Sequence, residues 1–123
     1  MRFAGIAAML FVVLTRNASA EEFVCTNQDV EVACSKGKCE KSDGFTPSSV
    51  SIDTKSGARS VCMYSMCLEG TADRLDVSKG FVVARSDQLK SNTGSGAIVI
   101  NLENYAAAMV SRAFINPMIC EKH

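Results

Sequence analysis

The sequence predicts a small all-β domain, an antiparallel barrel or sandwich stapled by disulfides. Three observations carry that expectation. Short apolar segments alternate with turn residues along most of the chain, all six cysteines follow residue 20, and the first twenty residues have the layout of an export signal.

In the leader, Arg2 supplies a positive charge, Phe3 to Leu14 an apolar run, and Ala18-Ser19-Ala20 a small-residue site that suits cleavage after Ala20. The run is twelve residues, short of the roughly 20 that span a bilayer. No cysteine near the site can accept a lipid, so no stable membrane anchor is expected. The expected organisation is a signal peptide at 1–20 and a single disulfide-rich domain at 21–123, exported to a periplasm or out of the cell. An uncleaved N-terminal helix is the competing reading.

Removing residues 1–20 leaves 103 residues with 11 basic and 13 acidic side chains, a formal charge of −2. No basic run exceeds two residues. Nucleic acid and anionic membrane surfaces both call for clustered Lys and Arg, and this balance argues against either as a partner.

Six cysteines in a short exported chain read as a disulfide framework, and sequence alone leaves 15 pairings open. Spacing suggests Cys34 with Cys39 across Ser-Lys-Gly-Lys, Cys62 with Cys67, and Cys25 with the distant Cys120. Gly37 can take the positive φ that the first turn requires. The last pair would close a loop nearly as long as the domain. A metal site is the competing reading: two C-x4-C pairs resemble a four-thiolate arrangement. Met63 and Met66 between Cys62 and Cys67, with Met118 beside Cys120, could suit a soft ion such as Cu(I).

Along the mature chain, Val30, Val32 and Cys34 alternate with Glu31 and Ala33, as a half-buried strand does. The clearest hairpin is Val50 to Asp53, then Thr54-Lys55-Ser56-Gly57, then Ala58 to Tyr64; Val50 and Ile52 share one face, Ser51 and Asp53 the other. Leu75 and Val77 form a short alternating piece. Phe81 to Ala84 and Ala97 to Ile100 are continuous apolar runs, consistent with strands covered on both faces, and 91–96 between them has the composition of an exposed loop. The segment 104–115 is ambiguous. Ala106-Ala107-Ala108 favours helix with Asn104 as its cap, whereas Tyr105, Ala107, Met109 and Ala113 fit a period of two. Strand is the reading taken. An α+β domain with a C-terminal helix at about 104–115 is the alternative, and Asn116-Pro117 suits the end of either element.

These patterns assign no catalytic, cofactor-binding or metal residue. The one histidine, His123, ends the chain, where a base held in place is not expected. Asp73 and Asp76 have ordinary spacing for a solvated strand end. Gly94-Ser95-Gly96 lacks the lysine and following helix of a phosphate loop. A stapled β scaffold with loops at Asp43 to Ser49 and Asp87 to Gly96 points to a non-enzymatic binding module, an inhibitor or secreted factor acting on another protein. A periplasmic soft-metal (copper) carrier is the alternative.

With Phe23-Val24-Cys25 near one end and Cys120 near the other, the outline resembles the periplasmic lysozyme-inhibitor proteins, small β-barrels with a cysteine near each end. That resemblance implies an inhibitor of a lysozyme. Ser56-Gly57 and Ser95-Gly96 are similar to the Ser-Gly step of the family's inhibitory loop. The chain departs from it three positions after each serine, where Arg59 and Ile98 replace a tyrosine.

Overall fold

Turn chemistry divides the chain into strands. Lys36-Gly37 and Lys79-Gly80 each place two consecutive residues at positive φ, 50° and 78° in the first and 50° and 81° in the second. Two such residues make the hairpin loop whose twist matches that of its flanking strands. The computed structural model describes residues 21–64, 66–86, 96–111 and 114–123. The expected leader at 1–20, and all of the expected loop but Gly96, lie outside the described residues.

Eleven strands follow in chain order: β1 (Glu22–Asn27), β2 (Val32–Ser35), β3 (Lys38–Lys41), β4 (Ser48–Asp53), β5 (Ala58–Met63), β6 (Met66–Thr71), β7 (Arg74–Ser78), β8 (Phe81–Ser86), β9 (Gly96–Asn101), β10 (Ala106–Val110) and β11 (Phe114–Lys122). All join one antiparallel sheet in the order β6-β5-β4-β1-β11-β10-β9-β8-β7, with the β2–β3 hairpin paired onto the start of β11. No helix occurs among the described residues. The fold is the all-β one expected, in the form of a curled, open half-barrel. Its curl is forced by the chain: β6 and β7 stand at opposite ends of the order, yet only Ala72-Asp73 separates them. The Ala72 N–H donates to the Gly57 carbonyl at 2.8 Å and the Asp73 N–H to the Arg85 carbonyl at 2.9 Å, tying the link to the β4–β5 turn on one side and to β8 on the other.

Phe23, Ile52, Val82, Ile100 and Met118, with the Cys25–Cys120 disulfide, form the buried interior. The Phe23 ring is 6.0 Å from that of Tyr105, tilted by 54°. The other two disulfides are Cys34–Cys39 and Cys62–Cys67. These are the pairs that spacing suggested, and each joins residues directly opposed across an antiparallel ladder.

The β4–β5 hairpin has the faces its sequence implies: Val50 and Ile52 are buried, Ser51 and Asp53 half-buried. Gly57 sits at φ 74° in its turn. Asp53 Oδ1 accepts from the Lys55 N–H at 2.8 Å and the Ser56 N–H at 3.0 Å. Those bonds, that from Ser56 foremost, hold the carboxyl below its ordinary value of 3.8.

Several expectations need correction. The helix alternative for 104–115 fails because the Asn104 side chain caps a turn instead. Its Oδ1 accepts from the Ala106 N–H at 2.9 Å, and Tyr105 takes a φ of 60°. The alanines then fill β10 between β9 and β11, where small side chains fit and two ladders outweigh a modest helix propensity. Asn116-Pro117 does not end the element but lies inside β11. The Pro117 carbonyl accepts from the Gln28 N–H at 3.1 Å. A strand residue's N and C=O point the same way, so the missing N–H faces the break between β1 and β2, where no ladder needs it. β8 is not covered on both faces, since Val82 and Ala84 are buried while Phe81 and Val83 are exposed; on β9, Ile98 and Ile100 are buried and Ala97 and Val99 half-buried. Pairing of the 30–34 segment starts only at Val32, and Ser48 and Ser49 begin β4 rather than ending a loop.

Two measurements check this architecture. Replacing Cys25 and Cys120 together by alanine is expected to cost about 4–5 kcal/mol of unfolding free energy, because the sequence separation of 95 makes a long loop. Each pair separated by 5 is expected to cost about 2 kcal/mol. Urea unfolding of the three double variants reads the order, and equal losses would contradict it. For Asp53, the depressed folded value means that the unfolded chain binds more protons below pH 3.8, so stability is lost as pH falls from there through the folded value. Asp53→Asn should remove that component from an acid-unfolding series while leaving the loss that other carboxyls cause.

Candidate functional site

The inner face of the half-barrel tapers in side-chain size along its strands. Register and burial put Ile52, Val50 and Ser48 on that face of β4; Val82, Ala84 and Ser86 on β8; Ile100, Ile98 and Gly96 on β9. In each strand the smallest residue lies at the same end, where β4 and β9 begin and β8 finishes. Large side chains narrow the far end, and the space widens toward this one.

The space is a cavity of about 380 Å³, within the roughly 300–1,000 Å³ of small-molecule sites. Val50, Ile52, Val61 and Leu68 line one wall, and Ala84, Ile98, Met109 and Phe114 the other. Polar groups are few. Asn116, 5% exposed, and Ser86 line it near the wide end, and Asn116 Oδ1 has no hydrogen-bond partner. Arg59 also lines it, with a buried Nε that lacks a partner. Its guanidinium lies over Gly70, where an added Cβ would come within 3.3 Å of Nη2. Arg59 shares its face with Val61 and Met63, and its ladder partner is Ile52, so it stands at the far end of β5. Glu31, also on the lining, precedes β2 and stands at the wide end.

The outer face is divided. On β4, β5 and β6 it carries Ser49, Ser51, Ser60, Glu69 and the Cys62–Cys67 disulfide. On β8 to β11 the centre of the same face is apolar, with Phe81 and Val83, then Val99, Ala108, Pro117 and Ile119, while Arg85, Asn101 and Glu121 stand toward its ends and Val110 sits at the rim shared with the cavity. Phe81, Val83, Val110 and Ile119 are between 37% and 46% exposed. Contiguous exposed apolar surface on a small domain marks an interaction site more often than chance scatter does.

The residues singled out in the sequence are dispersed. Asp73 lies in the β6–β7 link and Asp76 in β7 beside Val83. The His123 N–H donates to the Glu22 carbonyl at 2.8 Å, so the last residue's backbone is held against β1 while the residue stays exposed. Met63 and Met66 face each other across β5 and β6. Met118 is buried on β11, three strands from β5 in the sheet. All six cysteines are oxidised in pairs, leaving no thiolate for a soft ion, and no metal-binding group of His, Cys, Asp and Glu occurs among the described residues. Ser56-Gly57 closes the β4–β5 turn, and Ser95 lies outside the described residues. Arg59 and Asn116 escaped sequence reading. Parity with Val61 was the available signal for Arg59, and the proline beside Asn116 masked the strand.

No family model, curated protein or solved structure matches the chain. Three disulfides are the chemistry of an oxidising compartment.

Proposed function

We propose that this chain is a small exported, non-enzymatic binding protein, an inhibitor or secreted factor, that engages another protein through the outer face of β8 to β11. The apolar character of that face against the serine-rich face of β4 to β6 is the observation that carries the reading. Strands that alternate normally turn polar residues outward; here they turn Val83, Val99 and Ile119 outward. Charge borders the patch, with Arg74 and Asp76 along β7, Arg85 at the end of β8 and Glu121 near the end of β11, so the matching surface is neutral and apolar at its centre and charged at its margin. The margins of the sheet are poorly suited to strand addition, since β6 carries Glu69, β7 Arg74 and Asp76, and β3 Lys38, Glu40 and Lys41. Export to a periplasm or beyond the cell fits the disulfides and the leader's layout.

Site-specific photo-crosslinking in the native compartment tests the reading. A crosslinking side chain at position 83 or 119 should yield an adduct with one and the same protein, and one at position 51 or 60 should yield none. Val83→Lys should abolish the adduct formed from position 119 with the thermal midpoint unchanged. Adducts of equal yield from all four positions, adducts only with a second copy of this chain, or none at all would each defeat it.

A further inference from the structure

We infer that the cavity inside the half-barrel is a binding site for a small apolar carboxylate, such as a medium-chain fatty acid, with its carboxylate at Arg59. The inference stands apart from the outer face, since it uses the inner side of the sheet and shares with that face only the rim residue Val110.

Two walls with almost no polar groups call for an alkyl or aryl body. The buried polar atoms set the rest. Burying a polar atom unpaired is costly, and this cavity lines itself with two, Arg59 Nε and Asn116 Oδ1. Arg59 Nε is a donor on a permanent cation. A planar guanidinium matches a carboxylate by bidentate geometry. Its place over Gly70 leaves that side chain no competing Cβ. The axial arrangement of charge orients the ligand: Glu31 at the wide end repels an anion there, while Arg59 at the far end of β5 attracts one. Asn116, at the wide end, would then accept from a hydroxyl or amide carried on the body, or from a water bridging to it.

The sequence builds this space rather than leaving it by accident. Three neighbouring inner positions, Ala84, Ser86 and Gly96, are small where their strand-mates Val82, Ile98 and Ile100 are large. At Gly96 an added Cβ would approach the Val110 carbonyl oxygen to 3.2 Å, so even alanine there presses on backbone.

Calorimetric titration of the oxidised protein at neutral pH with sodium decanoate, decanol and decyltrimethylammonium separates the terms of the proposal. Decanoate should bind at least about tenfold more tightly than decanol, and the cation least. Arg59→Met should remove that preference and leave decanol affinity unchanged. Ala84→Leu should weaken both by occupying the space. Should that variant fail to fold, methyl resonances of the unaltered protein serve instead: those of Val50, Val61 and Ile98 should shift with decanoate while Val83 and Ile119 stay. Equal affinity for the three probes, no effect of Arg59→Met, or shifts confined to Val83 and Ile119 would overturn the proposal. The last result would leave the outer face standing as an apolar surface, so the two readings fail separately.

Discussion

The sulfur–sulfur bond between Cys25 and Cys120 joins the first strand of the domain to the last, and the rest of the sheet is arranged around that junction. Of the ten ladders among the described residues, seven pair strands that follow one another in the chain; the remaining three are β1 with β4, β1 with β11, and β2 with β11. Local hairpins can form without long-range order. Bringing β11 back to β1 demands closure of almost the whole domain, the step with the largest loop entropy. The disulfide removes much of that entropy from the unfolded chain, and its sulfurs occupy the buried interior beside Val50. Around it, the Lys122–Glu21 pair at 3.1 Å and the His123 N–H bond to Glu22 hold the same seam at the surface, though exposed pairs of that kind add little.

Once the seam is closed, the two-residue link between β6 and β7 makes the sheet curl, and curling gives the inner face its cavity. Side-chain size does the rest. Bulky residues meet where Phe23, Ile52 and Ile100 converge, and the space widens where the small ladder partners Ser86 and Gly96 sit side by side. β9, β10 and β11 then carry apolar residues on both faces, one turned to the cavity and the other to the outside. A sheet with a single buried face needs only one of these, so the second face is surplus to folding and available for contact.

Much of this was legible in the residues. The hairpin of Val50 to Tyr64 could be read because alternation, Asp53 and Gly57 all indicate the same geometry, and the pairing of the cysteines followed their spacing. Lys79-Gly80 carries as plain a turn signal as Lys36-Gly37 but was overshadowed by the apolar run that follows it. The segment 104–115 was divided because alanine and asparagine have local preferences that a helix and a turned strand both satisfy; only the long-range neighbours β9 and β11 decide between them. For Phe81 to Ala84 and Ala97 to Ile100, composition correctly marked both faces as apolar, yet composition cannot say whether a second layer of the same chain covers the outer one. The cavity was out of reach for a similar reason, since it depends on which inner positions of three strands meet.

Connectivity of the cysteines is the most direct measure of this account. Proteolysis of the protein without reduction, followed by mass spectrometry, should recover three linked peptide pairs, Cys25 with Cys120, Cys34 with Cys39 and Cys62 with Cys67. Cys25 found with any partner other than Cys120, or as a free thiol in the folded protein, would separate the two end strands and contradict the half-barrel built on them.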